Sequence, residues 1–133
     1  MVFFQLLHLY DGHSPKDLGY YSSILNIQEA QNVLNKKQGF SDSKDGYVII
    51  QRSSHHVSAD EPFYEAIIYY HSIDYSVEYS STLGYFSKET LAQQAIEEFK
   101  TVNPSEIPKM VCELVINKCI LNKILWSDGF CCD

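Results

Sequence analysis

Arginine is almost absent from this chain. Nine of its ten basic residues are lysine and only Arg52 is arginine, set against 17 acidic residues and a formal net charge of −7. Proteins that grip nucleic acid need a dense cationic face with arginine for phosphates and base edges, so this balance argues against that class. Long apolar runs are missing too, and no stretch approaches the ~20 residues that cross a bilayer as a helix. Residues 1–10 are apolar, but they lack a basic start and a small-residue cleavage site, and Gln5 and His8 interrupt them. They read as a buried first strand rather than a leader.

Cysteine is scarce and confined to the last 22 residues, at Cys112, Cys119, Cys131 and Cys132. No bridge among these could staple the N-terminal half, and a bridge between the adjacent Cys131 and Cys132 would be strained. Reduced thiols of a cytoplasmic protein are expected, with Cys112 packed as a small apolar residue in a strand and the terminal pair exposed. No phosphate loop, dinucleotide fingerprint, H-E-x-x-H, C-x-x-C or G-x-S-x-G is present, so no catalytic residue, metal or cofactor is assigned. These absences argue against an enzyme without excluding one.

What is present is an internal repeat. Residues 18–34 read LGYYSSILNIQEAQNVL and residues 83–99 read LGYFSKETLAQQAIEEF, matching at an offset of 65. At that offset residues 2–9 align with 67–74 and residues 47–52 with 112–117, all strand-like in composition. Each half reads strand, turn, short strand, helix, strand. In the first helix Asn26 is the expected cap, Ile27, Ala30, Val33 and Leu34 form the apolar stripe, and Gly39 is the stop. In the second, Ser87 caps, Leu91, Ala92, Ala95, Ile96, Phe99 and Val102 form the stripe, and Pro104 marks the end.

The expected organisation is one domain, 1–133, made of half-repeat 1–53, linker 54–62 and half-repeat 63–133. Neither half promises a comfortable core alone, so both are expected to share one sheet. The resulting fold class is α+β, a ferredoxin-like or related two-layer sandwich of two β-β-α-β half-repeats with the helices on one sheet face.

The motifs L-G-Y-Y-S at 18–22, G-F-S-D at 39–42, D-G-Y-V-I at 45–49 and W-S-D-G-F at 126–130 resemble an uncharacterised family of small bacterial domains. That family carries G-x-Y-S, G-F-x-D and a closing W-x-x-G-F. The resemblance implies packing roles for Phe40, Trp126 and Phe130 and assigns no activity.

Candidate chemistry is sparse. Residues 41–52 fail as a calcium loop because the twelfth position is Arg52, and Asp45-Gly46 reads as a turn able to adopt positive φ. His55, His56, Asp60 and Glu61 form the most metal-like cluster, yet adjacent histidines in an extended segment point apart, and a solvated linker is the expectation. His8, Asp11 and His13 are expected to fill turn and surface roles. His71 and Asp74 could orient an imidazole as a base, but no nucleophile accompanies them.

Tyrosine carries more weight. Six of the ten tyrosines fall between residues 64 and 85. Tyrosine offers a large, stiff contact area and a hydroxyl, which suits protein interfaces. The partner-binding candidates are Tyr69, His71, Asp74, Tyr75 and Tyr79. The functional expectation is a non-catalytic, cytoplasmic, bacterial protein-binding domain, in its sharpest form a toxin-neutralising immunity protein. Its partner would be a basic protein or a second copy of the chain, with no nucleic acid and no membrane. The alternative is a small-ligand or catalytic domain with a pocket near His71 and Asp74, and a metal-responsive module using His8, His13, His55 or His56 is a third.

Overall fold

The computed structural model describes residues 1–74, 78–102 and 110–131, with the backbone alone described at 78, 79, 102, 110 and 111. The elements are β1 (Val2–His8), β2 (Lys16–Tyr21), α1 (Ile24–Leu34), a 3-10 turn (Lys44–Gly46), β3 (Tyr47–Ser53), β4 (Phe63–Ser72), β5 (Glu78–Phe86), α2 (Glu89–Val102) and β6 (Met110–Cys119). The chain is α+β, and each half is a β-β-α-β unit with a helix against a sheet.

The described residues form two three-stranded antiparallel sheets, ordered β2-β1-β3 and β5-β4-β6, rather than the one shared sheet expected from sequence. In each half the first strand finds both neighbours within its own half, which satisfies its hydrogen bonds on both sides. The chain divides into two compact units, Met1–Ser53 with Ile120–Asp133, and Ser54–Cys119.

The repeat is real in the backbone, but its offset is not constant. Leu6 lies opposite Gly19 and Ile49, as Ala66 lies opposite Gly84 and Ile116. The offsets are therefore 60 for the first strands, 65 for the L-G-Y strands and 67 for the last strands. The second hairpin is five residues longer than the first, a length change that ungapped comparison cannot register. Both hairpins carry a bulge at the motif leucine: Leu18 is skipped between the pairs Leu6–Gly19 and Leu7–Asp17, and Leu83 between Ala66–Gly84 and Ile67–Thr82. A bulge bends and twists its strand, so the repeated L-G marks a shared shape.

In the first unit α1 lays Ile27, Ala30 and Leu34 onto Leu6, Leu18, Tyr21 and Phe40, all buried. Each large side chain fully buried this way contributes roughly 1.5–3 kcal/mol. Val33 is exposed, so the stripe is narrower than expected. The N-cap is Ser23, whose hydroxyl accepts from the Asn26 amide, and the C-cap is Asn35 rather than Gly39. Asn26 instead donates from its side chain to Ser22 and Asn122. Residues 120–131 complete this unit. The Asn122 and Leu125 amides bond to the carbonyls of Tyr20 and Leu18 and cover the β2 edge, and Leu121, Ile124, Trp126 and Phe130 add apolar cover. A side chain at Gly19 would collide with the Lys123 carbonyl, which explains the motif glycine. Phe40, Trp126 and Phe130 are packing residues, and Gly39, at φ +87°, leaves room for the Phe130 backbone and ring.

In the second unit α2 places Ala92 and Ile96 on Ala66, flanked by Tyr64, Leu83, Phe86, Leu114 and Ile116. The Ala92 amide bonds to the Lys88 carbonyl, so the helix opens one residue after Ser87. Pro104 and the side chain of Val102 lie outside the described residues. The segment read as a linker belongs to this unit: Ser54 donates to the Tyr85 carbonyl, Val57 is buried and the His56 ring lies against Phe86. Cys112 is exposed, contrary to expectation, and Cys119 is the buried thiol. Asp45-Gly46 does form a turn, but a 3-10 one with no positive φ.

On the face opposite each helix the two units match closely. Phe3 meets Tyr20 edge-on at 5.8 Å and Phe63 meets Tyr85 at 6.0 Å. The buried polar residue two positions on is Gln5 in one, bonded to Arg52, and Glu65 in the other, bonded to Thr82.

Candidate functional site

As expected for a central strand, β4 lies between β5 and β6, with Ala66 in the core under α2 and Phe63 and Glu65 buried on the opposite face. Only toward the end of β4 does the opposite face reach the surface. Tyr69 is 40% exposed and Ile73 79% exposed. Register places Tyr69 between Ser80 on β5 and Glu113 on β6.

His71, also a sequence candidate, is buried. Its Nδ1 lies 2.9 Å from the Ser72 carbonyl, so that nitrogen donates, and its Nε2 lies 3.6 Å from Glu113 Oε1. Asp74 accepts the Ser72 hydroxyl at 2.7 Å. Glu113 is thus the carboxylate beside His71, on a different strand, and its side chain is 61% exposed. Tyr75 lies outside the described residues. Of Tyr79 only the backbone is described, opposite Tyr70. Glu113 is a residue that sequence reasoning missed, since it joins the site only through the β4–β6 register.

A cavity of about 470 Å³ opens in the first unit, where β1 ends against the 3-10 turn. Leu9, Tyr10, Asp11, Asp42, Ser43 and Asp45 line it. Beside it His8 is fully buried, with ring centroids of Phe40, Tyr47 and Phe130 at 4.9, 5.0 and 5.5 Å. This corrects the surface role expected for His8. Its Nε2 lies 2.9 Å from the Ser43 carbonyl and 3.2 Å from the Ser43 hydroxyl. Such a pair invites a nucleophile reading, but hydrogen-bond direction opposes it. The Ser43 hydroxyl donates to the Gly39 carbonyl, and Nε2 carries the hydrogen that the Ser43 carbonyl accepts. No imidazole lone pair faces the hydroxyl, and the pair ties the turn to β1.

Around Phe130 the side chains are likewise engaged. The Lys16 ammonium lies 3.8 Å from the Phe130 centroid and 5.5 Å from that of Trp126, and His13 and Tyr10 contact the same phenyl ring. Cations over aromatic faces contribute roughly 0.5–2 kcal/mol.

No protein-family model, curated protein or solved structure matches the chain. The site must therefore be read from its own chemistry. Among the described residues no three histidine, cysteine or acidic side chains converge to hold a metal, and His55 and His56 stay apart from Asp60 and Glu61 in that sense. No described helix is long and apolar enough to cross a membrane. Tyr69 and Glu113 are exposed register partners on one sheet face, and Ile73 is exposed in the turn that follows β4.

Proposed function

We propose that this chain is a non-catalytic protein-binding domain that captures a basic protein partner through its second unit. In its sharpest form it is a toxin-neutralising immunity protein of the bacterial cytosol. The observation that carries the reading is the segregation of charge. Unit Ser54–Cys119 holds ten acidic and four basic residues, a net of −6, whereas the first unit holds seven acidic and six basic, a net of −1. From residue 53 to residue 87 there is no lysine or arginine, so the whole β4–β5 hairpin is free of cations. A one-signed surface steers an oppositely charged protein and rejects like-charged ones. Tyr69 and Ile73 supply the stiff aromatic and aliphatic area that anchors protein contacts. Free thiols at Cys112 and Cys131 suit a reducing compartment. The alternative of a ligand pocket at His71 and Asp74 has weaker support, because each bonds to Ser72: His71 Nδ1 donates to the Ser72 carbonyl and Asp74 accepts the Ser72 hydroxyl.

The test uses the full chain and its Tyr69→Ala/Ile73→Ser variant as baits in lysate of the source organism. The wild type should retain a basic protein that the variant loses. The association rate measured on that protein should fall at least tenfold between about 50 and 500 mM salt. A captured protein indifferent to both the variant and the salt would refute the reading.

A further inference from the structure

The geometry points to a specific partner chemistry at this face: Tyr69 and Glu113 form a receptor for an arginine side chain presented by the partner protein. This rests on the protein-binding reading and specifies which side chain is recognised. Tyr69 and Glu113 are register partners on neighbouring strands, so their side chains leave the same sheet face about 5 Å apart at Cβ. Both reach solvent, and Tyr69's other neighbour, Ser80, is too small to overhang the ring. His71 Nε2, 3.6 Å from Glu113 Oε1, flanks the carboxylate from within the sheet. An aromatic face beside a carboxylate, in a hairpin without cations, matches guanidinium. Its plane stacks on the ring and its fork pairs with both carboxylate oxygens. An ammonium is more strongly hydrated and offers no plane, so lysine fits less well.

The first unit supplies an internal control. By the strand offsets, Tyr69 corresponds to Leu9 and Glu113 to Gly46, and the Leu9 amide bonds to the Gly46 carbonyl at 2.9 Å. There the first unit carries a 3-10 turn with neither tyrosine nor glutamate, so the exposed pair is particular to the second unit, where β6 runs on as a regular strand.

The experiment is an NMR titration of the ¹⁵N-labelled full chain with hexa-arginine and, separately, hexa-lysine. Amide shifts should centre on Tyr69, Ser80 and Glu113, with arginine binding roughly fivefold tighter, the equivalent of about 1 kcal/mol. Glu113→Gln and Tyr69→Ala should each weaken hexa-arginine by a similar factor, whereas Glu97→Gln on α2 should not. The amide spectra report at once whether each variant is folded. Shifts centred on α2, equal affinity for the two peptides, or indifference to Glu113→Gln would overturn the proposal. If a basic protein is captured and Tyr69→Ala releases it while Glu113→Gln does not, the arginine receptor fails and the protein-binding reading stands. If no basic protein is captured, that reading fails whatever the peptides do.

Discussion

Two glycines with nearly the same backbone geometry allow the docking of the C-terminal segment to be weighed. Gly12 has φ +83° and Gly39 φ +87°, but a Cβ on Gly12 meets nothing within 4 Å, whereas one on Gly39 would lie 2.5 Å from the Phe130 carbonyl oxygen and 2.6 Å from its ring. Alanine at either site incurs a left-handed penalty of roughly 1–2 kcal/mol, partly offset by about 0.4–1 kcal/mol of reduced unfolded-state entropy. Gly12→Ala should therefore cost about 1 kcal/mol. Gly39→Ala must also displace Phe130. That forfeits its packing on Phe40 and His8, worth up to roughly 1.5–3 kcal/mol, and its amide bond to Gln38, worth about 1 kcal/mol. The expected total is about 3.5–5 kcal/mol. Urea unfolding followed by circular dichroism measures both costs. Emission from Trp126, the chain's single tryptophan, reports whether the segment is detached before unfolding. Equal costs for the two variants, or unchanged native emission in Gly39→Ala, would refute the argument that Gly39 exists to seat Phe130.

Three further outcomes are expected. Burial, then the Asp17 carboxylate, pushes the Tyr21 hydroxyl up to about 12. Because this lies above the unfolded value of about 10, its contribution is fully present below pH ~10 and is lost as pH rises through ~12, a loss of about 3 kcal/mol. Denaturation in that window should steepen for wild type and flatten in Tyr21→Phe, which separately gives up the bond from Tyr21 to the Leu18 carbonyl. Ser23→Ala should cost about 1 kcal/mol by removing the α1 cap, as thermal melts would show, and melts unchanged in this variant would return the cap to Asn26. In thiol labelling, Cys131 should react before Cys112, whose thiol is raised by burial against the pull of Lys100 although it reaches the surface, and buried Cys119 should react last of the three.

The elements were legible in sequence because each rests on local signals: alternating β-branched strands, apolar stripes at helical spacing, and a repeated L-G that the fold turns into a bulge. What escaped was non-local. Whether six strands make one sheet or two depends on which strand pairs with which, and the residue types at 2–9 and 63–72 are equally suited to either arrangement. The caps are not decided locally, because Ser22, Ser23 and Asn26 are all competent acceptors, and only the path of the chain after residue 119 assigns Asn26 to Asn122. Tyr69, His71 and Asp74 were visible as types. Glu113 became part of the site only through register, and the burial of His8 only through Phe40 and Phe130, 32 and 122 positions away.

Since the two units share a backbone, their differences separate what folding demands from what it leaves open. His8 and Ile68 occupy equivalent positions, both buried, so a large side chain is needed there while an imidazole is not. One position on, Leu9 and Tyr69 are both partly exposed. At the facing position the first unit admits only glycine, because a Cβ on Gly46 would strike the Leu9 carbonyl and lie 2.8 Å from His8 Nε2. The inward hydrogen bond from His8 to Ser43 brings the turn down over β1 and excludes a carboxylate beside Leu9. With isoleucine in place of that histidine, the second unit continues β6 as a regular strand and has room for Glu113 opposite Tyr69. Replacing a turn-binding histidine by an aliphatic residue and gaining an exposed aromatic–acid pair are thus two sides of one structural difference. It also explains why the candidate binding face belongs to the second unit.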